Sequence, residues 1–524
     1  MIVPELRPWR AARPRLARAA GAVRPRLARA ARALEPRVAR FARATAPRFT
    51  GPKTWQYTAG AATAGLALAA GVVTAAGPWD STGQRTAERD RAVALDHTGG
   101  ADHGRGSGTA GQPRPAPSAG AVLAGLGGTS GAAPAAPRGA ALADVLGPLL
   151  KDPALGSRHA ASVVDLATGR RLYGTAVEES LTPASTTKIA TAVAALSALG
   201  PDHRLTTRTA YEADTGELVL VGGGDPTLTA RKDAKGLASL RTLADKTAAA
   251  LQKRDVTRVT LSYDTSLFAG SEMHPIGVND NLARVTALMA DEGRTDGSTS
   301  GPAPRVSDPA ADAARTFAGL LRSHGVKVSP PGPSKATGRA EPLAAVASPP
   351  LSALVERMLT NSDNDLGEAL LRHTAVAAGR RADFAGGAAA VAGRLKHLGL
   401  PVAGSEFHDG SGLDRADRLT AGLLTELLAT AADPGRPGLR AALTGLPIAH
   451  FTGTLADRYP GGAAGVVRAK TGTLTGVNTL AGTVVTRDGR TLGFAFFASD
   501  TTDPEAAQTA LDRLAGALAD CGCR

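Results

Sequence analysis

Three short strings have the residue types and spacing that nucleophilic acyl transfer requires. They are Ser185-Thr186-Thr187-Lys188, Ser362-Asp363-Asn364 and Lys470-Thr471-Gly472-Thr473, and the patterns Ser-x-x-Lys, Ser-x-Asn and Lys-Thr-Gly each occur once in the 524 residues. Positions i and i+3 of a helix share a face, so Lys188 can reach the Ser185 hydroxyl. Serine needs an adjacent base to become a nucleophile, and lysine can be that base when burial or nearby cations lower its pKa.

Backbone donors near Ser185 could stabilise the oxyanion of such a reaction. With Thr182 as N-cap, Ser185 lies near the third helical position, where backbone N–H groups have no helical partner. These donors and one from the strand at Thr473 predict an oxyanion hole, in which each donor is typically worth about 3–4 kcal/mol.

The other residues of the strings can bind substrate and move protons. Lys470 provides a second cation, and the hydroxyls of Thr471 and Thr473 can hold a substrate carboxylate. Ser362 could relay a proton to the leaving amine, while Asn364 orients the acyl side.

Each string lies on an element that can position it. Thr182-Pro183 is typical of a helix start, and apolar residues follow at helical spacing until Gly200-Pro201 ends the run; they are Ile189, Val193, Leu196 and Leu199. The second string lies between two helical stretches, Leu351–Leu359 and Leu366–His373. The third ends the strand-like run 466–469.

Two hairpins predict the sheet that carries these elements. Residues 162–166 and 171–173 flank a turn with Gly169, and residues 479–486 and 491–498 flank Asp488-Gly489. A C-terminal helix is expected from Asp503-Pro504 through Leu518. Strands and helices at both ends, with helices between, predict an α/β layered domain on a largely antiparallel sheet.

Each string alone is weak evidence, but together, on a helix, a loop and a strand, they form the motif set of the penicillin-recognising serine acyl-transferases. Lys188 and Ser362 are 174 residues apart, far more than in a β-lactamase. Residues 218–228, Asp409-Gly410-Ser411-Gly412-Leu413 and Gly453-Thr454-Leu455 add further similarity. Over residues 141–519 the chain resembles the class C low-molecular-mass penicillin-binding proteins, the D-alanyl-D-alanine carboxypeptidase/endopeptidase family.

The resemblance implies a fold, an activity and partners. The fold is β-lactamase/transpeptidase-like: an antiparallel sheet flanked by helices, a helical subdomain and an inserted subdomain. The activity is that of a serine DD-peptidase, which cleaves peptidoglycan stem peptides through an acyl-enzyme and is acylated by penicillin and other β-lactams. The catalytic residues would be Ser185, Lys188, Ser362, Asn364 and Lys470, and the substrate-binding residues Thr471, Gly472 and Thr473. No metal or cofactor is required.

The domain organisation follows from the same comparison, with two departures. Residues 141–200 and 346–519 would form the catalytic domain, residues 201–345 the inserted subdomain and residues 520–524 a tail with Cys521 and Cys523. The insertion looks short for this family, so we expect its outer subdomain to be reduced or missing. Asp414 stands where the family has serine, which bears on substrate preference.

The N-terminal region predicts a membrane tether. Residues 1–53 hold 14 basic and two acidic residues, whereas the rest of the chain is near neutral, so no nucleic acid partner is expected. Residues 57–77 carry no charge, so 54–78 is interpreted as one transmembrane helix with a cytoplasmic arm, followed by a disordered linker over 79–140. The arm could also lie on anionic lipid. The alternative is a cleaved signal peptide and a secreted enzyme.

Other functions remain open at this level. A β-lactamase of the same fold would need a deacylating residue, and Glu368 is near the second string but lacks motif support. A non-catalytic protein that binds wall peptides or β-lactams is a further alternative. Ser411, beside His408 and Asp409, is a weak candidate for a Ser-His-Asp triad, whose members usually converge from distant positions.

Overall fold

The computed structural model describes residues 139–459 and 462–521. The predicted basic arm (1–53), the predicted membrane span (54–78) and nearly all of the predicted linker (79–140) lie outside these residues. Within the described ranges, no helix combines the length and apolar character needed to cross a membrane.

The described residues form ten α-helices, and the predicted helices lie close to their expected ranges except that the one predicted from Thr182-Pro183 begins at Thr187. They are α1 (Gly139–Leu149), α2 (Thr187–Leu199), α3 (Leu240–Gln252), α4 (Pro309–Ser323), α5 (Leu351–Asn361), α6 (Asn364–Ala377), α7 (Phe384–His397), α8 (Ala421–Ala432), α9 (Ala441–Thr444) and α10 (Pro504–Asp520). The predicted stop of the nucleophile helix is confirmed, since Gly200 caps α2 with a φ of 86°.

Eleven strands lie within the same ranges. They are β1 (Arg158–Asp165), β2 (Arg171–Thr175), β3 (Thr206–Glu212), β4 (Glu217–Val221), β5 (Arg258–Asp264), β6 (Lys327–Val328), β7 (Gly332–Pro333), β8 (Glu341–Ala347), β9 (Val467–Leu474), β10 (Val477–Val485) and β11 (Thr491–Ser499).

The catalytic sheet has five strands in the order β2-β1-β11-β10-β9, and every neighbouring pair is antiparallel. Both predicted hairpins are confirmed, since β1 pairs with β2 and β10 pairs with β11. The fold is thus of the mixed α/β kind that the sequence predicts, with the antiparallel sheet built from both ends of the described chain.

Alternate side chains of the sheet face two separate cores. Phe494 and Phe496 pack in the core that also holds α1 and α10, whereas Phe497 faces the core of α2, α5, α6, α7 and α8. Helix α2 lies inside this second core, because residues 187–196 are all buried. Its alanines allow the neighbouring helices to approach closely, so the helix that carries Lys188 and follows Ser185 is packed on all sides.

The insertion between α2 and α5 has a mixed sheet of its own. The strands lie in the order β6-β5-β4-β3-β8, with β7 also pairing with β5. β4 runs parallel to β5, while β3 is antiparallel to both β4 and β8. Helices α3 and α4 pack on this sheet around a third core that includes Leu220, Leu261 and Phe317. The insertion is therefore a folded subdomain, and the prediction that its outer part is reduced stays a prediction.

Candidate active site

The nucleophile candidate Ser185 lies in a single 3-10 turn, Ala184–Thr186, that leads directly into α2. Ala184 has a left-handed backbone with a φ of 47°, which costs a non-glycine residue about 1–2 kcal/mol. The Pro183 carbonyl accepts hydrogen bonds from Thr186 Oγ1 at 2.7 Å and from Thr479 Oγ1 of β10 at 2.8 Å. The turn before Ser185 is therefore tied both to its own helix and to the sheet.

The predicted N-cap at Thr182 is wrong. Its hydroxyl donates to the Arg415 carbonyl (3.4 Å) and accepts from Arg418 Nη1 (3.1 Å), so it contacts another loop instead of capping the helix. The left-handed Ala184 separates Pro183 from the helical path, and α2 begins only after the 3-10 turn. Sequence spacing could not reveal this break in the backbone.

Lys188 is fully buried, and its ammonium group makes three hydrogen bonds. Nζ lies 3.1 Å from Ser185 Oγ, 2.7 Å from Asn364 Oδ1 and 2.6 Å from the Ser411 carbonyl oxygen. Burial lowers the pKa of Lys188 to about 8, although nearby carboxylates, first among them Asp409, act in the opposite direction. The predicted contact between serine and lysine is therefore present, with a lysine that can lose its proton near neutral pH.

The second string joins α5 to α6. Ser362 ends α5 in a left-handed conformation with a φ of 56°, and Asp363 caps α6 by accepting from the Leu366 N–H at 3.0 Å. Asn364 accepts from Lys188, and its Nδ2 donates to the Asn281 carbonyl of the insertion at 2.9 Å. The two contacts fix the orientation of the Asn364 amide.

The third string lies within β9, where Lys470 is fully buried. Its Nζ donates to the Thr471 carbonyl at 2.8 Å. Burial lowers the pKa of Lys470 well below its usual value, and the nearby cations Lys188 and Arg458 lower it further. The Thr471 hydroxyl donates to Thr454 Oγ1 at 2.9 Å, so the Gly453-Thr454-Leu455 string lies beside β9 as well.

Gly472 permits β9 to pass close to the nucleophile. A Cβ at this position would lie 2.1 Å from Thr479 Oγ1 and 2.7 Å from the Pro183 carbonyl oxygen. The glycine therefore has a packing role, because a larger residue would push β9 away from the turn before Ser185.

A cavity of about 260 Å³ brings the three strings together. Ser185, Ser362, Asn364 and Thr473 line it, and the insertion supplies another part of its wall through residues 300–302. The Ser362 and Thr473 hydroxyls and the Asn364 amide thus share one concave space with Ser185, whereas the predicted site residues Lys470, Thr471 and Gly472 do not line it.

Glu368, the candidate for the deacylating residue of a β-lactamase, is buried behind Lys188. Glu368 accepts from the Gly410 N–H, at 3.1 and 3.2 Å to its two oxygens, and from the Ser411 N–H at 2.9 Å. Burial and the charge of Asp409 raise the pKa of Glu368 to about 7.

Asp409 binds backbone N–H groups at the other end of the same turn, residues 410–414. It accepts from the Gly412 N–H at 2.6 Å and the Asp414 N–H at 2.7 Å, and it lies 3.0 Å from Nε2 of His274. Burial alone would lower the pKa of His274, but the hydrogen bond and charge of Asp409 raise it above its usual value. Burial and the charge of Asp409 raise the pKa of Asp417 to about 9, so this neighbouring acid is neutral at pH 7.

Ser411 is not a second nucleophile. Its side chain is fully buried, and its hydroxyl lies 3.1 Å from Asp409 Oδ2. His408 points to Glu406 across a separation of 3.9 Å and is largely exposed. The three neighbours therefore do not form a triad, and the weak alternative based on them is wrong.

A second ionic cluster joins the insertion to the second string. Arg305 lies 2.8 Å from Asp365, and Arg357 lies 3.3 Å from Asp363 and also pairs with Glu292. Burial and the charge of Asp363 raise the pKa of Glu292 to about 7. These pairs hold the insertion against the loop that carries the predicted catalytic amide.

In the part of the chain that the structure describes, two groups of buried side chains have ligand atoms within 4.8 Å of one another, as a metal site would require. They are His274, Glu368 and Asp409, and Glu292, Asp363 and Asp365. In both groups the carboxylates already accept from backbone N–H groups, from His274 or from arginines. The arrangement is that of two ion-paired networks.

Sequence comparisons relate the chain to carboxypeptidases. Residues 142–304 and 294–520 match the D-Ala-D-Ala carboxypeptidase 3 (S13) family. A carboxypeptidase of Mycobacterium tuberculosis is 36% identical over 406 residues, which cover 74% of this chain and 86% of that protein. The carboxypeptidase DacB of Mycolicibacterium smegmatis is 38% identical over 401 residues, or 73% of this chain and 84% of the relative.

A D-alanyl-D-alanine carboxypeptidase of an Actinomadura species is 31% identical over 415 residues, which cover 64% of this chain and 77% of that enzyme. Among solved structures, penicillin-binding protein 4 of Haemophilus influenzae matches 71% of this chain and 97% of its own, with a TM-score of 0.58 and 22% identity. At that identity the structural match supports the fold.

Proposed function

The chain belongs to the D-Ala-D-Ala carboxypeptidase 3 (S13) family and is a serine-type D-Ala-D-Ala carboxypeptidase, and from this we propose how its own residues divide the reaction. Ser185 Oγ attacks the carbonyl of the terminal D-Ala-D-Ala bond, and Lys188 Nζ takes its proton. The contact of 3.1 Å between these atoms carries the proposal, together with a lysine pKa of about 8.

The remaining residues act on the substrate. The backbone N–H groups of Ser185 and Thr473 would hold the oxyanion. Thr471 and Thr473 would favour a substrate that ends in a carboxylate, because they place two hydroxyls on β9 beside the buried amine of Lys470.

Breakdown of the tetrahedral intermediate releases D-alanine. Ser362 would relay a proton to the leaving amine from its place in the cavity wall, while Asn364 keeps Lys188 and the acyl chain in position. Water then hydrolyses the ester on Ser185. The same steps would cut a D-alanyl cross-link, so a DD-endopeptidase activity on peptidoglycan belongs to the proposal.

A β-lactam would acylate Ser185 in the same way and stay bound. Rapid deacylation in a β-lactamase requires a base that faces the ester, and the candidate for that base, Glu368, is fully buried against backbone N–H groups. This observation favours the peptidase over the β-lactamase. Nitrocefin distinguishes them, because a peptidase forms a long-lived adduct whereas a β-lactamase turns over many equivalents.

The direct test uses a fluorescent penicillin and the substitution Ser185→Ala. We expect wild-type protein to carry one adduct on the peptide that contains Ser185, located by mass spectrometry, and S185A to remain folded and unlabelled. S323A is the control, since that serine is exposed at the end of α4, does not line the cavity and should leave labelling intact. Labelling of S185A would disprove the nucleophile assignment.

We also propose that the catalytic domain works outside the cytoplasm, tethered by residues 54–78. The uncharged stretch 57–77 and the dense arginines before it support this orientation, and the arm would then meet anionic lipid on the inner face. Protease added to intact cells should remove a C-terminal tag and spare an N-terminal one. Mature enzyme in the medium without its first residues would instead support the secreted alternative.

A further inference from the structure

The proposed base is held by a turn of the backbone. Among its three hydrogen bonds, Lys188 makes the shortest to the Ser411 carbonyl, at 2.6 Å. That carbonyl belongs to the peptide unit that joins Ser411 to Gly412. Because the C=O and N–H of a trans peptide unit point in opposite directions, whatever binds the Gly412 N–H also aims the carbonyl.

Two carboxylates fix this peptide unit and those before it. Asp409 accepts the Gly412 N–H at 2.6 Å, and Glu368 accepts the N–H groups of Gly410 and Ser411. The N–H groups of residues 410, 411, 412 and 414 therefore all end on two buried side chains. Such a turn has little freedom to rotate its carbonyl away from the lysine.

Two carboxylates buried side by side require counter-ions, because burial of unpaired charge is unfavourable. One is His274, which the insertion supplies 3.0 Å from Asp409, and the other is Lys188 itself. The charge of Arg372 on α6 also acts on Glu368, while Asp417, in its neutral form, lies near Glu368 and Asp409.

We propose that Glu368 and Asp409, with His274 of the insertion as their counter-ion, are positioning residues for Lys188 and set the pH at which it acts as the base. The proposal rests on the proposed function, because it requires Lys188 to accept the serine proton. It gives the insertion a part in the acid–base chemistry, although His274 does not line the cavity described above.

The two charges of this cluster predict opposite pH shifts. Glu368→Gln removes a negative charge that favours the ammonium form, so the pKa of Lys188 falls and acylation begins at lower pH. His274→Gln can still donate to Asp409 but removes the positive charge that this histidine carries when it is protonated. Loss of that charge raises the pKa of Lys188, so acylation begins at higher pH.

The experiment measures the rate of acylation by fluorescent penicillin from pH 6 to 10 for the full chain. For E368Q we expect the rate on the high-pH plateau to fall about 10- to 100-fold, the range for loss of a hydrogen bond to a charged group. The affinity of the first complex should stay unchanged, because Glu368 does not line the cavity. E426Q, on the half-buried Glu426 of α8, is the matched control and should behave as wild type.

The outcomes separate this inference from the proposed function. If wild-type protein gains no adduct on Ser185, both fail. If wild-type protein is acylated but E368Q and H274Q have the same midpoint in their pH profiles as wild type, the inference alone is overturned. This holds even if the acylation rate at high pH falls, because loss of structure lowers that rate without moving the midpoint. If E368Q does not fold, the upward shift in H274Q decides the matter.

Discussion

Gly472 offers a steric test of how closely β9 must approach the nucleophile. In Gly472→Ala the new methyl group would lie 2.7 Å from the Pro183 carbonyl oxygen and 2.1 Å from Thr479 Oγ1. The backbone oxygen would have to recede by roughly 1 Å to reach an ordinary contact distance. Gly472 is not among the residues with positive φ, so alanine suits the backbone and only space opposes it.

The expected magnitude follows from that displacement. Forcing an extra methyl group into a packed site costs about 1–3 kcal/mol, and a shift of about 1 Å in an active site can slow a reaction about 100-fold. We therefore expect G472A to be acylated by penicillin about 100-fold more slowly, with a lower free energy of unfolding.

Stopped-flow acylation and denaturant unfolding would measure the two quantities. Gly319→Ala in α4 is the control, because nothing lies within 4 Å of its added methyl group and alanine favours a helix by roughly 0.5–1 kcal/mol. If G472A is acylated at the wild-type rate, the reasoning is refuted, because the distance between β9 and the turn at Pro183 would then have no effect on acylation.

Three further predictions concern pH, the insertion and substrate binding. Since the pKa of Lys188 is about 8, its neutral fraction rises from about one tenth at pH 7 to about nine tenths at pH 9, and acylation should rise about tenfold. A flat pH profile would exclude Lys188 as the base. Arg305→Met leaves the buried Asp365 without its ion-pair partner and should lower the free energy of unfolding by about 3–5 kcal/mol. The double variant Arg305→Met with Asp365→Asn should recover part of that loss. Equal losses for the two variants in calorimetry would contradict the ion-pair argument. Thr454→Val removes the hydrogen-bond acceptor at 2.9 Å from the Thr471 hydroxyl and should raise KM for a D-Ala-D-Ala peptide more than it lowers kcat. Steady-state release of D-alanine measures both constants, and a change confined to kcat would count against a substrate-binding role for Thr471.

Local patterns predicted the elements well because local forces set them. The helical spacing that joins Ser185 to Lys188 and the glycine at position 200 both appear in the structure as expected. The site followed largely from motifs whose members lie on single elements. The cap at Thr182 failed because the left-handed Ala184, which no local preference favours, is stabilised by contacts made elsewhere in the fold.

Long-range ionic contacts lay beyond the reach of sequence patterns. Glu368 did carry one signal, since it follows Asn364 by four residues on α6 and so shares its helical face. His274 carried none, because its partner Asp409 is 135 residues away and the pairing depends on how the insertion packs. The charged residues that set the pKa of Lys188 are therefore harder to predict from sequence than Lys188 itself.

Two of the left-handed non-glycine residues lie in the candidate active site, Ala184 beside the nucleophile and Ser362 in the second string, and they imply a trade-off between stability and activity. Glycine at either position would relieve backbone strain, so a search for thermostable variants should recover these substitutions. At position 184 the gain would come with a looser nucleophile, and at position 362 it would remove the hydroxyl. Selection for heat resistance alone would then favour variants that are more stable but less active.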